Sequence, residues 1–408
     1  MHTETWLSIP IARIVRPLRY TRPVRIRPGA CVLLLVWAAG MGAQSGIDSI
    51  FAPLVEDRSP GMAVLVRKDG RTVFERGYGV RDLRALARID ARTDFRLASF
   101  TKQFTAMAVM LLVHDGKLRY DQRLTDIYPD FPAYGRGITL RHLLTHTSGL
   151  PDYEELMDAT TWTPTHQISD NEVLALLEHQ TRPKFAPGTS WAYSNSAYVV
   201  LGLIVAKVSG EPFGKFLHDR IFAPLHMSDT LAYVSGKNRV PNRAYGHTKE
   251  GARFVETDQS STSATLGDGG IYSNLADLAK WDEALQRHAL LSAAEMAPAL
   301  TPARLADGSA PKWPATPGDD NLNPGQPVSY GFGWFLDPYE GHARMWHSGT
   351  TVGFRTVIER FTAEKLTIIV LCNRTDPDPA SLALKVAGIF LGARRASRVD
   401  PMIALRYE

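Results

Sequence analysis

Two periods organise the apolar positions of this chain. Near the start the sequence alternates in short apolar runs: Met62-Ala-Val-Leu-Val-Arg67 and Thr72-Val-Phe-Glu-Arg-Gly-Tyr78 flank Lys68-Asp69-Gly70-Arg71, whose Asp-Gly pair marks a tight hairpin. The alternation returns over Tyr330–Leu336, His342–Thr350, Gly353–Phe361 and Leu366–Cys372, which predicts an antiparallel meander before a last helix near Ala380–Leu391. Between the ends the spacing is helical. Phe100, Phe104, Met107, Val109, Met110 and Leu111 share a helix stopped at Gly116; Ala197–Val208 form another, closed by Gly210, and Leu275–Leu285 a third.

Strands at both termini with helices between them predict an α/β (α+β) domain over residues 45–395. Its antiparallel sheet is built from N- and C-terminal strands (residues 47–95 and 330–392) and flanked by helices, beside a mainly helical lobe over 100–300. Residues 301–329 are rich in Pro, Gly and Asp, with Trp313 the lone large aromatic, and read as an exposed excursion roofing a cleft. Residues 396–408 read as a tail.

The first 44 residues break the pattern. Six arginines between Arg13 and Arg27 precede an apolar run from Ala30 to Ala39, and Gly-Met-Gly-Ala follows at 40–43. This is the layout of a signal peptide with a long basic front, and the run is too short to span a bilayer. Export to a bacterial periplasm, or beyond the cell, is the expectation, with no stable membrane span in the mature chain. Cleavage would leave Cys372 as the one cysteine, so no internal disulfide is expected. The net charge of +4 sits largely in this leader, so the mature chain is near neutral and neither nucleic acid nor a membrane surface is implied as partner. A hydrophobic fraction of 44% with 22% charged residues excludes disordered and fibrous classes.

Candidate chemistry starts at Ser99-Phe-Thr-Lys102. At the start of a helix, positions three apart share a face, so the lysine amine can meet the serine hydroxyl. A lysine at a helix N-terminus opposes the macrodipole, and a dry wall would disfavour its ammonium form further, which equips it to take or relay the serine proton. Ser309-Ala-Pro-Lys312 has the same spacing, but Pro311 and its surroundings make it loop. His142 and His146 are four apart, yet Leu143 stands where a zinc hydrolase helix needs Glu, so no metal is expected; these histidines read as fixing a short buried helix and the turn at Ser148-Gly149. Tyr-Ser-Asn occurs twice before a helix, at 193–195 and 272–274, and residue chemistry does not rank the copies.

In order, Ser99-Phe-Thr-Lys102, Tyr193-Ser-Asn195 and His347-Ser-Gly349 resemble the motifs of the penicillin-recognising serine hydrolases. The class C β-lactamase branch, with its D-alanyl-D-alanine carboxypeptidases, D-aminopeptidases and esterases, is the nearest likeness. Leu143-Leu-Thr-His-Thr-Ser-Gly-Leu150 and Gly269-Gly-Ile-Tyr-Ser-Asn274 belong to the same likeness, which runs over residues 47–391.

The resemblance implies a β-lactamase/transpeptidase-like fold and ranks Tyr193 above Tyr272. It implies Ser99 as nucleophile, with Lys102 and Tyr193 sharing the base role in cationic surroundings from Lys102, His347 being a second candidate source. Asn195 would bind the substrate amide and the lysine, and the N–H groups of Ser99 and Thr350 would form an oxyanion hole. Gly349 is expected where the strand approaches a bound backbone most closely. The expected substrate is a small peptide, ester or β-lactam, with no cofactor.

His347 stands where true β-lactamases carry lysine in Lys-Thr-Gly, which turns the expectation from β-lactam hydrolysis toward the carboxypeptidase, aminopeptidase and esterase types. A β-lactamase proper, or a non-catalytic module binding muropeptides or penicillins, are the alternatives. An α/β-hydrolase is disfavoured because Gly-x-Ser-x-Gly is absent.

Overall fold

The computed structural model describes residues 44–158, 161–315 and 323–397. The leader expected over 1–44 therefore lies outside the described residues but for its last position, as do residues 398–408 of the tail.

A helix at 44–51 (α1) leads into a hairpin of β1 (Met62–Lys68) and β2 (Arg71–Tyr78). Its turn places Asp69 (φ 51°) and Gly70 (φ 78°) in the left-handed region that the Asp-Gly signal anticipates. A short strand β3 (Phe95–Arg96), a 3₁₀ turn (Ala98–Thr101) and α2 (Lys102–His114) follow. The helical region continues through α3 (Asn195–Ser209), which ends on left-handed Gly210. Beyond it come β4 (Ile271–Ser273), paired with β3, and α4 (Leu275–Arg287). The chain closes with β5 (Arg344–Thr351), β6 (Phe354–Phe361), β7 (Leu366–Cys372) and α5 (Pro379–Ser397).

The five long strands form one antiparallel sheet in the order β5-β6-β7-β1-β2, so the two ends of the chain meet where β1 pairs β7, Met62 opposite Cys372. Met62, Val64 and Val66 of β1 face α1 and α5, packing with Phe51, Val386 and Val370; Ala63 and Leu65 face the helical side with Phe100 and Phe104. Coverage of both faces explains why the central strands read as continuous apolar runs. The meander has three strands rather than four. Tyr330–Leu336 contributes isolated bridges, Tyr330 to Phe335 and Phe335 to Trp346, because the segment folds back on itself at left-handed Gly333 (φ 76°), sending Tyr330 and Phe335 to a separate aromatic cluster and Phe332 and Trp334 to the main core.

Helices α2 and α3 are apolar almost all round and buried accordingly, which is what carries Lys102 inside. Phe104 of α2 stands 4.6 Å from Trp281 of α4 and 5.5 Å from Phe222, ring centre to ring centre. Asp282 of α4 pins the lobe to the sheet through Arg67 (2.9 Å), Arg360 (2.8 Å) and Thr367 (2.7 Å). Among the described residues no single helix is long and apolar enough to cross a membrane.

Most described residues of the excursion at 301–315 and 323–329 are exposed, as expected, but two points anchor it. Trp313 is buried against Trp191 (4.7 Å) and Phe335 (5.7 Å), and Ala306 N–H donates to Gly188 O at 2.8 Å.

Candidate active site

Ser99 is placed by strain and close packing. Leu97 N–H donates to Ile271 O (2.8 Å), which fixes the chain as it leaves β3. Ala98 then turns left-handed (φ 51°), a conformation that costs an L-residue about 1–2 kcal/mol and persists where its surroundings over-determine it. Those surroundings include β5 and β6. A β-carbon at Gly349 would lie 2.0 Å from the Leu97 carbonyl oxygen, and Thr356 Oγ1 donates to that oxygen at 2.8 Å. A side chain at Gly349 would thus strike the chain's own turn beside Ser99. Thr350 follows it on β5, exposed and paired with Arg355.

Lys102 is fully buried, and the polar contacts of its Nζ include Ser99 Oγ at 3.0 Å, Asn195 Oδ1 at 2.8 Å and the Asp268 carbonyl at 3.1 Å. The last two partners are pure acceptors, so they take two N–H bonds whatever the charge. The position facing Ser99 can hold either an N–H or the lone pair of a neutral amine. That arrangement permits proton exchange between hydroxyl and amine without moving a heavy atom.

Tyr193 and Asn195 arrive from the loop before α3. Ser194 caps the helix, its hydroxyl accepting Ala197 N–H at 3.1 Å, so Asn195 is the first helical residue and its side chain reaches Lys102. The Tyr193 ring lies 4.8 Å from Lys102 Nζ, 4.5 Å from the His146 ring and 6.2 Å from that of His347. His347 is 1% exposed on β5. Burial first, then the Lys102 charge, push its pKa down to about 3. Nδ1 therefore donates to Ser348 O (2.7 Å), and Nε2 accepts from the Tyr330 hydroxyl (3.2 Å). At neutral pH this imidazole carries no charge, so the cationic surroundings of Tyr193 come from Lys102 without it.

The structure thus joins Ser99, Lys102, Tyr193 and Asn195 around one amine, with His347 beside Tyr193 and Gly349 and Thr350 on the adjoining strand. Tyr272 stands elsewhere, 1% exposed, its hydroxyl accepting from Arg243 Nη2 at 3.1 Å.

Sequence reasoning missed Asp152-Tyr153-Glu154. Asp152 Oδ2 accepts Asn195 N–H (2.7 Å), and Glu154 Oε1 accepts from Asn195 Nδ2 (3.3 Å). Tyr153 donates to Asp268 Oδ2 (3.0 Å), the residue whose carbonyl meets Lys102. A helix-capping Asp after Gly-Leu-Pro was the available signal; nothing local pointed it at residue 195. Spaces of about 540 Å³ beside Met345 and Lys365 and about 640 Å³ beside Phe254 and Arg374 hold none of the seven predicted residues.

Residues 47–389 match the family model described as Beta-lactamase. Penicillin-binding protein 4* of Bacillus subtilis (strain 168) is 30% identical over 345 residues, covering 81% of this chain and 72% of that protein. A penicillin-binding protein from Bacillus halodurans superposes with a TM-score of 0.64 at 26% identity, over 82% of this chain and 94% of the other. The fold is also that of a D-amino acid amidase from Ochrobactrum anthropi SV3, with a TM-score of 0.68 at 24% identity over 88% of this chain and 99% of that one.

Proposed function

The chain belongs to the Beta-lactamase family of serine hydrolases, and from that premise we propose that it hydrolyses a small amide or ester through an acyl-enzyme at Ser99. The observation that carries this reading is the buried Lys102 amine, held 3.0 Å from Ser99 Oγ by two carbonyl acceptors. Ser99 Oγ attacks the substrate carbonyl as its proton passes to Lys102 or Tyr193. The carbonyl carbon's bond to the leaving nitrogen or oxygen breaks, and that atom takes the proton. Water then attacks the ester on Ser99 and regenerates the hydroxyl. N–H groups of Ser99 and Thr350 serve the oxyanion, a donor worth on the order of 10²–10³ in turnover. The basic front and apolar run of residues 13–43 support export of this enzyme.

Charge supports an aminopeptidase, amidase or esterase over a carboxypeptidase. A substrate carboxylate needs a fixed cation, and His347 is neutral; the acidic Glu154, on the amide of Asn195, suits an uncharged or ammonium-bearing substrate. A β-lactamase proper is disfavoured on the same ground.

The test is labelling with a fluorophosphonate and a fluorescent penicillin, read by intact mass. Wild type gains one adduct at Ser99 and Ser99→Ala none; a well-folded wild type that stays unlabelled refutes the reading and favours the binding module. Turnover of a D-alanyl anilide and p-nitrophenyl esters, against a D-alanyl-D-alanine peptide with a free carboxylate, then tests the substrate class.

A further inference from the structure

We infer that His146 is the positioning residue of Tyr193, clamping the backbone on both sides of it so that the phenol meets Lys102; this rests on the catalytic reading of Tyr193 above. The peptide N–H before Tyr193, that of Ala192, donates to the His146 carbonyl at 3.1 Å. The N–H after it, that of Ser194, donates to His146 Nδ1 at 3.1 Å. One residue therefore receives both flanking donors, and its ring also lies 4.5 Å from the Tyr193 ring.

The clamp has little freedom of its own. His146 is fully buried, and the rings of Tyr330 (4.6 Å), Tyr198 (5.2 Å) and Trp191 (5.7 Å) box in its imidazole. Its backbone is left-handed (φ 60°), which a histidine adopts at a cost of about 1–2 kcal/mol and keeps only under constraint. Burial, with the Lys102 charge behind it, keeps the ring neutral, so the Nδ1 lone pair is there to accept. The hydrogen-bonding surface of Nε2 meets no polar partner among the described residues, which leaves Nδ1 as the working nitrogen. A core histidine that merely filled space would need none of this register. The ordering matters because misplacing a catalytic group by about 1 Å can cost 10²-fold in rate.

Three substitutions separate clamp from filler. His146→Asn keeps an acceptor at the Nδ1 position and tolerates left-handed backbone; His146→Gln carries its acceptor one bond too far; His146→Leu fills volume without an acceptor. With a p-nitrophenyl ester, His146→Leu and His146→Gln should lose on the order of 10² in kcat with KM within about threefold, and His146→Asn should recover to within about tenfold of wild type. Wild type and Tyr193→Phe are run alongside. If His146→Leu keeps its kcat while Tyr193→Phe is inactive, the clamp is refuted and the catalytic reading stands. The clamp is equally refuted if Asn is no better than Gln, a comparison that decides the matter even where the Leu variant does not fold. A Tyr193→Phe variant as active as wild type, or an unreactive wild type, overturns the catalytic reading and the positioning role together.

Discussion

At 193–195 and again at 272–274 the chain reads Tyr-Ser-Asn ahead of a buried helix. In the first copy Ser194 is the cap and α3 starts at Asn195, whose amide is left to bond Lys102 at 2.8 Å. In the second the helix starts one residue later. Asn274 is itself the cap, its Oδ1 accepting Asp277 N–H at 3.0 Å and its Nδ2 donating to Asp94 at 2.8 Å. The tyrosines diverge as well. Tyr193 lies along Lys102, whereas burial, reinforced by Asp258, pushes the Tyr272 phenol up to about 12. A one-residue shift of the cap therefore separates an amide offered to chemistry from an amide consumed in holding a helix.

The largest effect that could break this contrast is on the tyrosines. Tyr193→Phe should lower kcat/KM by about 10²–10⁴, the usual range for a lost acid–base group, with the melting temperature nearly unchanged. Tyr272→Phe should keep kcat/KM within about threefold and lose stability, because it strips the acceptor from Arg243. Equal kinetics for the two would remove the distinction.

The asparagines come next. Asn195→Ala should cost on the order of 10-fold to 100-fold in turnover, since Lys102 loses one of the two carbonyls that orient it, and little stability. Asn274→Ala should do the reverse: a lost cap and a broken buried bond to Asp94 together cost about 1–3 kcal/mol, readable by urea denaturation, with turnover retained.

These pairs also mark how far the sequence could be read. The hairpin at Asp69-Gly70, the β1–β7 meeting of chain ends and the Ser99–Lys102 face all follow from spacing, because period and turn chemistry are local properties. The pairing of Tyr193 with Lys102 came from motif order instead. What stayed illegible depends on contacts between distant segments. Tyr330–Leu336 has a strand's alternation, yet its Tyr330 and Phe335 serve the Trp191–Trp313–Phe335 stack and the His347 bond. Asp152 looks like any helix cap until α3 is laid against it. The neutrality of His347 rests on burial that no local pattern reports.

Protonation sharpens the contrast next to the first copy. The folded pKa of His347, about 3, lies below the ordinary value of 6.5, so between those limits the unfolded chain binds the extra proton. The stability this histidine contributes by staying neutral is present above pH 6.5 and is lost as pH falls from there toward 3. The melting temperature of wild type should therefore drop more steeply between pH 7 and pH 4 than that of His347→Gln, which cannot titrate. Parallel curves would mean that the imidazole is hydrated or charged in the folded state.

The smallest effect concerns the serines, where equal stability losses should hide unequal consequences. Ser194→Ala removes a cap worth about 1 kcal/mol, and Ser273→Ala removes a buried hydrogen bond to Thr230 (2.7 Å) of similar worth. Urea midpoints should not tell the two apart. Turnover should, because fraying the first turn of α3 loosens Asn195 and with it the Lys102 amine, while β4 carries nothing that touches the amine through Ser273. We expect Ser194→Ala to lose a few-fold in kcat, Ser194→Asp to restore it by capping the same N–H, and Ser273→Ala to match wild type. If Ser194→Ala turns over like wild type, Asn195 is held by Asp152 alone and the position of the cap no longer explains why the two tripeptides differ.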